Sequence, residues 1–142
     1  MDRLPIKIGQ LEINFLLESA QTNGMISMFE FTVPPNAKVP VPHYHKDFDE
    51  TIYGLEGIMT FILNGETINI TAGQSLFIPR GATHEFYNHG EITAKSLAIT
   101  SPALFGPAYF YDLAEVINVA GPPDREKMKS VMLQYGLIPV VN

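Results

Sequence analysis

The chain has 142 residues, 46% of them hydrophobic and 17% charged, which suits one globular domain large enough to bury a core without staples. Nine Lys and Arg against fifteen Asp and Glu give a net charge of −6, so the chain lacks the basic footprint that nucleic acid or anionic lipid requires. The absence of cysteine excludes disulfides, thiolate metal sites and cysteine nucleophiles. No apolar run reaches the ~18 residues of a bilayer span. The opening MDRLPIKIGQLEINF carries neither the apolar core nor the cleavage site of a secretory leader, so a cytoplasmic location is expected.

In chain order, the pattern predicts strands at residues 10–17, 25–33, 50–55, 58–63, 66–70, 75–78, 84–88 and 93–100. The clearest signal is Asn64-Gly65 between two strand-like runs. Both turn residues must tolerate positive φ, and Asn-Gly is the usual hairpin solution. Many short strands with no intervening helix argue for an antiparallel sandwich or barrel over residues 6–100. Residues 103–142 change character. Phe110, Leu113, Ala114 and Ile117 have helical spacing within 107–119. A second helix is predicted after Gly121-Pro-Pro-Asp-Arg-Glu, with Met128, Val131, Met132 and Tyr135 on one apolar stripe and Gly136 ending it. The whole chain, 1–142, is expected to form a single domain.

Three of the four histidines fall in two compact groups. The first is Pro42-His43-Tyr44-His45, followed by Lys-Asp-Phe-Asp-Glu50. In a strand, residues two apart share a face, so His43 and His45 project together while Tyr44 faces away. The stretch before Glu50 is turn-like and is expected to bring the next strand back alongside. In the second group, Pro79-Arg80-Gly81 delivers His84 to the start of a strand. A lone His-x-His pair is weak evidence, because surface histidines at this spacing are common. His89, beside Gly90, is expected to be a solvated loop histidine. Glu85 alternates with His84 and should face away from it, while Phe86 shares the His84 face and is a candidate pocket wall. Met59, Phe61, Phe29 and Phe31 are further lining candidates, although alternate residues fill barrel interiors in any case. Nothing in the sequence directs Arg80 or Tyr53 to a substrate.

Together the two groups resemble the paired signatures of the cupin superfamily, G-x5-H-x-H-x4-E-x6-G and G-x5-P-x-G-x2-H-x3-N. The first appears as His43, His45, Glu50 and Gly57, with Ala37 where the leading glycine would stand. The second is complete: Gly73, Pro79, Gly81, His84 and Asn88. The resemblance implies an all-β jelly-roll barrel (a double-stranded β-helix) with C-terminal helices, in which His43, His45, Glu50 and His84 hold one divalent metal. Imidazole and carboxylate suit Fe, Mn, Ni, Cu, Co or Zn, and the set leaves positions open for water, substrate or dioxygen. The competing view is a vestigial polar cluster in a metal-free barrel; burying three imidazoles and a carboxylate without a partner is costly.

The tail is similar to the C-terminal helices of small quercetin-dioxygenase-like cupins. That likeness implies an oxygenase of a small aromatic or enolisable substrate, with Glu50 as both ligand and proton acceptor. The alternatives are a metal-dependent isomerase or decarboxylase and a non-catalytic module that binds a small ligand. A homodimer is expected, because the apolar run Leu11–Leu17 could pair with a neighbouring chain as an open edge.

Overall fold

In a computed structural model, which describes residues 4–140, the chain forms eleven strands and two helices. The strands are β1 (Ile6–Ile8), β2 (Leu11–Leu17), β3 (Ser27–Val33), β4 (His43–His45), β5 (Asp49–Glu56), β6 (Met59–Leu63), β7 (Glu66–Ile70), β8 (Ser75–Ile78), β9 (His84–Tyr87), β10 (Ala94–Ser101) and β11 (Leu137–Pro139). The helices are α1 (Pro107–Ile117) and α2 (Arg125–Gln134), and one 3₁₀ turn spans Ser19–Gln21. Two antiparallel sheets result, ordered β1-β2-β3-β10-β5-β8 and β11-β4-β9-β6-β7. The strand pattern's antiparallel sandwich or barrel is thus the jelly roll that the resemblance implies.

Alternation builds the interior. In β3, Ser27, Phe29, Phe31 and Val33 are buried, and in β10 the inward set is Ala94, Ser96, Ala98 and Thr100. Small residues on the central strand β10 leave room for the phenylalanines beside them, since Ala98 pairs with Phe29 and Ser96 with Phe31. The sheets meet through rings: Phe31 contacts Phe61 and Phe86 of the other sheet, with centroids 6.5 and 5.2 Å away. Close backbone approach fixes two glycines. A Cβ on Gly54 would lie 2.2 Å from the Thr71 carbonyl oxygen, and one on Gly57, whose φ is +65°, would lie 2.7 Å from that of Thr93.

The turn at Ala37, where the resembled signature has a glycine, is resolved one residue earlier. Asn36 takes the left-handed conformation at φ +58°, and Ala37 is buried. Asn88 anchors this corner. It is buried, its Nδ2 donates to the carbonyls of Val33 and Ile92, its Oδ1 accepts from the Gly90 N–H, and its own carbonyl accepts from the Asn36 N–H.

Three expectations need correction. β2 is not an open edge along its first half: Gly9, at φ +57°, turns the chain so that β1 pairs with Leu11, Glu12 and Ile13 on one side while β3 pairs with the other. A partner chain therefore cannot pair with that half of β2. Nor does β5 return alongside β4. It crosses to the opposite sheet, between β10 and β8, while β4 lies between β9 and β11. Finally, the tail is not purely helical, because β11 follows Gly136 and pairs with β4, setting Leu137 opposite His45 and Pro139 opposite His43. Gly136 itself, at φ +82°, lies just past the end of α2 as expected.

Helix α1 closes one end of the barrel. It begins with Pro107 in its first turn and buries Tyr109, Phe110 and Leu113. Its C-cap, Asn118, clips it to the first hairpin by accepting from the Gly9 N–H and donating to the Lys7 carbonyl. In α2, Asp124 caps the N-terminus by accepting from the N–H groups of Glu126 and Lys127, and Met132 is its buried anchor. Among the described residues, no helix is long and apolar enough to cross a membrane.

Candidate metal centre

β4 and β9 are neighbours, with His43 directly opposite His84. His45 projects from the same face of β4 as His43, and all three rings are buried. Each offers a ligand nitrogen, and these atoms lie within 4.8 Å of one another. Ring centroids are 5.2 Å apart for His43 and His45, 4.6 Å for His43 and His84, and 4.7 Å for His45 and His84. Glu50 approaches from the opposite sheet, its Oε1 lying 3.6 Å from His84 Nε2. The compact group is thus the three histidines, and Glu50 joins it through His84.

Two rings are fixed by the same local device. His43 Nδ1–H donates to the Val41 carbonyl at 2.9 Å, and His84 Nδ1–H donates to the Ala82 carbonyl at 3.0 Å. A carbonyl can only accept, so the proton sits on Nδ1 and leaves the Nε2 lone pair free. His45 is held differently. Its Nδ1 is buried without a hydrogen-bond partner, and its ring stacks on Phe48 at 4.3 Å and 18°. Phe48 is fully buried and is backed in turn by Phe105, at 5.1 Å.

Burial sets the charges. Desolvation, reinforced by the neighbouring imidazoles, pulls His43 down to about 3 and His45 to about 2. Desolvation also lowers His84, against the Ala82 hydrogen bond. It pushes Glu50 up to about 8. At neutral pH without a cation, the site therefore holds neutral imidazoles facing a protonated carboxyl, so the His84–Glu50 contact is not an ion pair. Neutral imidazoles with free lone pairs are the form that binds a metal, and a carboxyl that loses its proton would join them. The donor set fits an octahedral or open N,O ion, and nothing in it resembles a closed thiolate zinc site.

The four side chains line a cavity of about 80 Å³. Phe29, Phe31, Phe61 and Phe86 line it, as the sequence suggests, but Met59 does not. Met59 is 1% exposed and pairs with Ile70 at the other end of β6, so it belongs to the packed core. The sequence reading missed the contribution of the tail: Phe105, Tyr109, Phe110 and Leu113 complete the lining. A signal was present, since Phe105, Tyr109 and Leu113 are spaced four apart. Arg80 is engaged elsewhere, its guanidinium and backbone N–H binding the Asp49 carboxylate, and Tyr53 is 43% exposed. His89 is exposed and stacks on Tyr87, whose hydroxyl donates to Glu85 away from the site.

The cupin-domain family Cupin_2 matches residues 29–100, half of the chain, and this span carries all four side chains. The chain belongs to the cupin family. The chain is 30% identical over 105 residues to the tetracenomycin polyketide synthase protein TcmJ of Streptomyces glaucescens, covering 73% of this chain and 68% of that protein. It is 31% identical over 88 residues to the quercetin 2,3-dioxygenase of Bacillus subtilis, covering 62% of this chain but only 26% of the dioxygenase. Among solved structures, a predicted oxalate decarboxylase from Thermotoga maritima superposes with a TM-score of 0.62 and 25% identity, over 71% of this cupin and 92% of that chain.

Proposed function

We propose that this cupin is a mononuclear metal-dependent oxygenase of a small aromatic or enolisable compound. The observation that carries the proposal is the gathering of three buried imidazoles and the Glu50 carboxyl at a cavity whose remaining lining is almost entirely hydrocarbon. His43, His45 and His84, with Glu50, would hold one divalent ion, either Fe, Mn, Ni, Cu, Co or Zn. When bound, such an ion supplies Lewis acidity toward an enol or hydroxyl oxygen and, if redox-active, the electron chemistry that dioxygen needs.

The chain's own groups supply the rest. Val41 and Ala82 orient two of the rings through their carbonyls, and Phe48 orients the third by stacking. Glu50 is the one acid at the cavity wall, and as a carboxylate it accepts the proton that an enolisable substrate gives up on binding. The phenylalanine walls exclude water, which strengthens charge interactions at that end of the cavity. Kinship with a quercetin dioxygenase and a polyketide synthase protein supports an oxygen-bearing substrate. A homodimer is the proposed assembly. With the first half of β2 covered by β1, the short strand β8 is the opposite edge of the same sheet, and a monomeric mass in light scattering would overturn the dimer.

The test is oxygen uptake by protein loaded with each metal in turn, against a panel of small enols and hydroxyaromatics. Metal-dependent uptake that a chelator abolishes is expected. Saturable binding of those compounds without turnover by any metal form would replace the oxygenase with a binding module.

A further inference from the structure

Apart from His43, His45, Glu50 and His84, the cavity wall carries a single polar side chain, that of Tyr109 on α1. The residue is 3% exposed, and its ring is clamped by Phe105, Phe110 and Tyr135, with centroids 5.0 to 5.4 Å away. Among the described residues its hydroxyl has no hydrogen-bond partner. By contrast, the hydroxyl of the neighbouring Tyr135 is engaged, donating to Asp112 at 2.7 Å. Nor is the Tyr109 oxygen sealed in the core, since the enclosed, partnerless side-chain atoms are His45 Nδ1 and Ser96 Oγ. The free space that Tyr109 lines is the cavity. A phenol hydroxyl that opens on a cavity and has no protein acceptor is available to donate to a ligand bound there.

We infer that Tyr109 is the substrate-orienting hydroxyl of this site, donating a hydrogen bond to a second oxygen of a ligand whose first oxygen is held at the histidine cluster. This deepens the proposed function and rests on it. Desolvation raises the phenol's pKa, so the group stays protonated and acts as a donor. The cavity also narrows the ligand class. Its volume of about 80 Å³ favours a compact ligand over a polycyclic one. No Lys or Arg lines the wall, so the ligand has no second anionic group to be matched. A small molecule bearing two oxygens on adjacent or alternate carbons, and apolar elsewhere, satisfies every lining group.

Acetohydroxamate is a suitable probe, being small, metal-binding and furnished with two adjacent oxygens; azide binds metals but offers no second oxygen. Cobalt-loaded wild type and Tyr109→Phe are titrated with each while the visible cobalt bands are followed. The expected result is that Tyr109→Phe weakens acetohydroxamate about 5- to 10-fold, the value of one lost neutral hydrogen bond, and leaves azide affinity and cobalt stoichiometry unchanged. Equal acetohydroxamate affinity in the two proteins, or an equal loss for azide, overturns the role of Tyr109 and leaves the metal site standing. Failure of the wild type to take up cobalt overturns both.

Discussion

Metal binding to this site should release one proton, and that proton should come from Glu50. With its pKa near 8, Glu50 is about nine-tenths protonated at pH 7, whereas His43 and His45, near 3 and 2, already carry no charge. Titrating metal-free protein with a divalent ion at pH 7 should therefore liberate ~0.9 proton per ion. At pH 5.5 the share from Glu50 rises only to ~1, and at pH 9 it falls to ~0.1. Histidines in water behave otherwise: with ordinary pKa values near 6.5, three of them would release ~0.7 proton at pH 7 and almost 3 at pH 5.5. Calorimetry in buffers of differing ionisation enthalpy counts the protons. Glu50→Gln should bind more weakly and release almost none. A release that climbs toward three protons at pH 5.5 would mean that the rings are hydrated and charged before the metal arrives, and the buried-site argument would be refuted.

Further predictions concern stability and support of the site. Below pH 6.5 the unfolded chain protonates His43 and His45 while the folded protein does not, so each costs ~1.4 kcal/mol of stability per pH unit of acidification. Glu50 acts in the opposite sense: its stabilising contribution is complete below its ordinary 4.5 and is lost as pH rises to about 8. Metal-free protein should thus be most stable near pH 6.5 in urea titrations, and a steady rise in stability to pH 8 would contradict these shifts. Phe48→Leu, which removes the stack on His45, should weaken metal binding ~10-fold in a chelator competition, and unchanged affinity would show that the stack orients nothing. Gly54→Ala should cost more than ~3 kcal/mol, because its Cβ would meet a backbone oxygen. Gly65→Ala, with nothing within 4 Å but φ +82°, should cost only ~1–2 kcal/mol, and equal losses in thermal melts would count against the close approach.

Much of this was legible in the sequence because it depends on short-range rules. The two-residue period places His43 and His45 on one face, Asn64-Gly65 turns the β6–β7 hairpin, and both residues have positive φ as that turn demands. The apolar spacing of α1 and the glycine after α2 follow equally local preferences. What escaped depends on pairing between distant residues. Nothing near Glu50 specifies that β5 joins the opposite sheet, and nothing in the three residues Leu137–Pro139 announces that they will pair with the histidine strand. Gly9 is a weak signal for a turn that folds β1 onto β2, yet that turn covers the first half of the edge on which the dimer argument relied. Met59 and Phe61 share one face of β6, and only the three-dimensional packing separates the core residue from the cavity wall. The role of Tyr109 was hidden for a related reason: its helical face is evident, but what that face covers is not.

The account's central claim is a shared cation held by three imidazoles and an acid inside the barrel. It is tested most directly by elemental analysis of protein purified without chelators or added metal, beside the His45→Ala/His84→Ala double variant. About one metal ion per wild-type chain, and almost none in the double variant at equal folded content, is the predicted result. Stoichiometric metal retained by the double variant would contradict it.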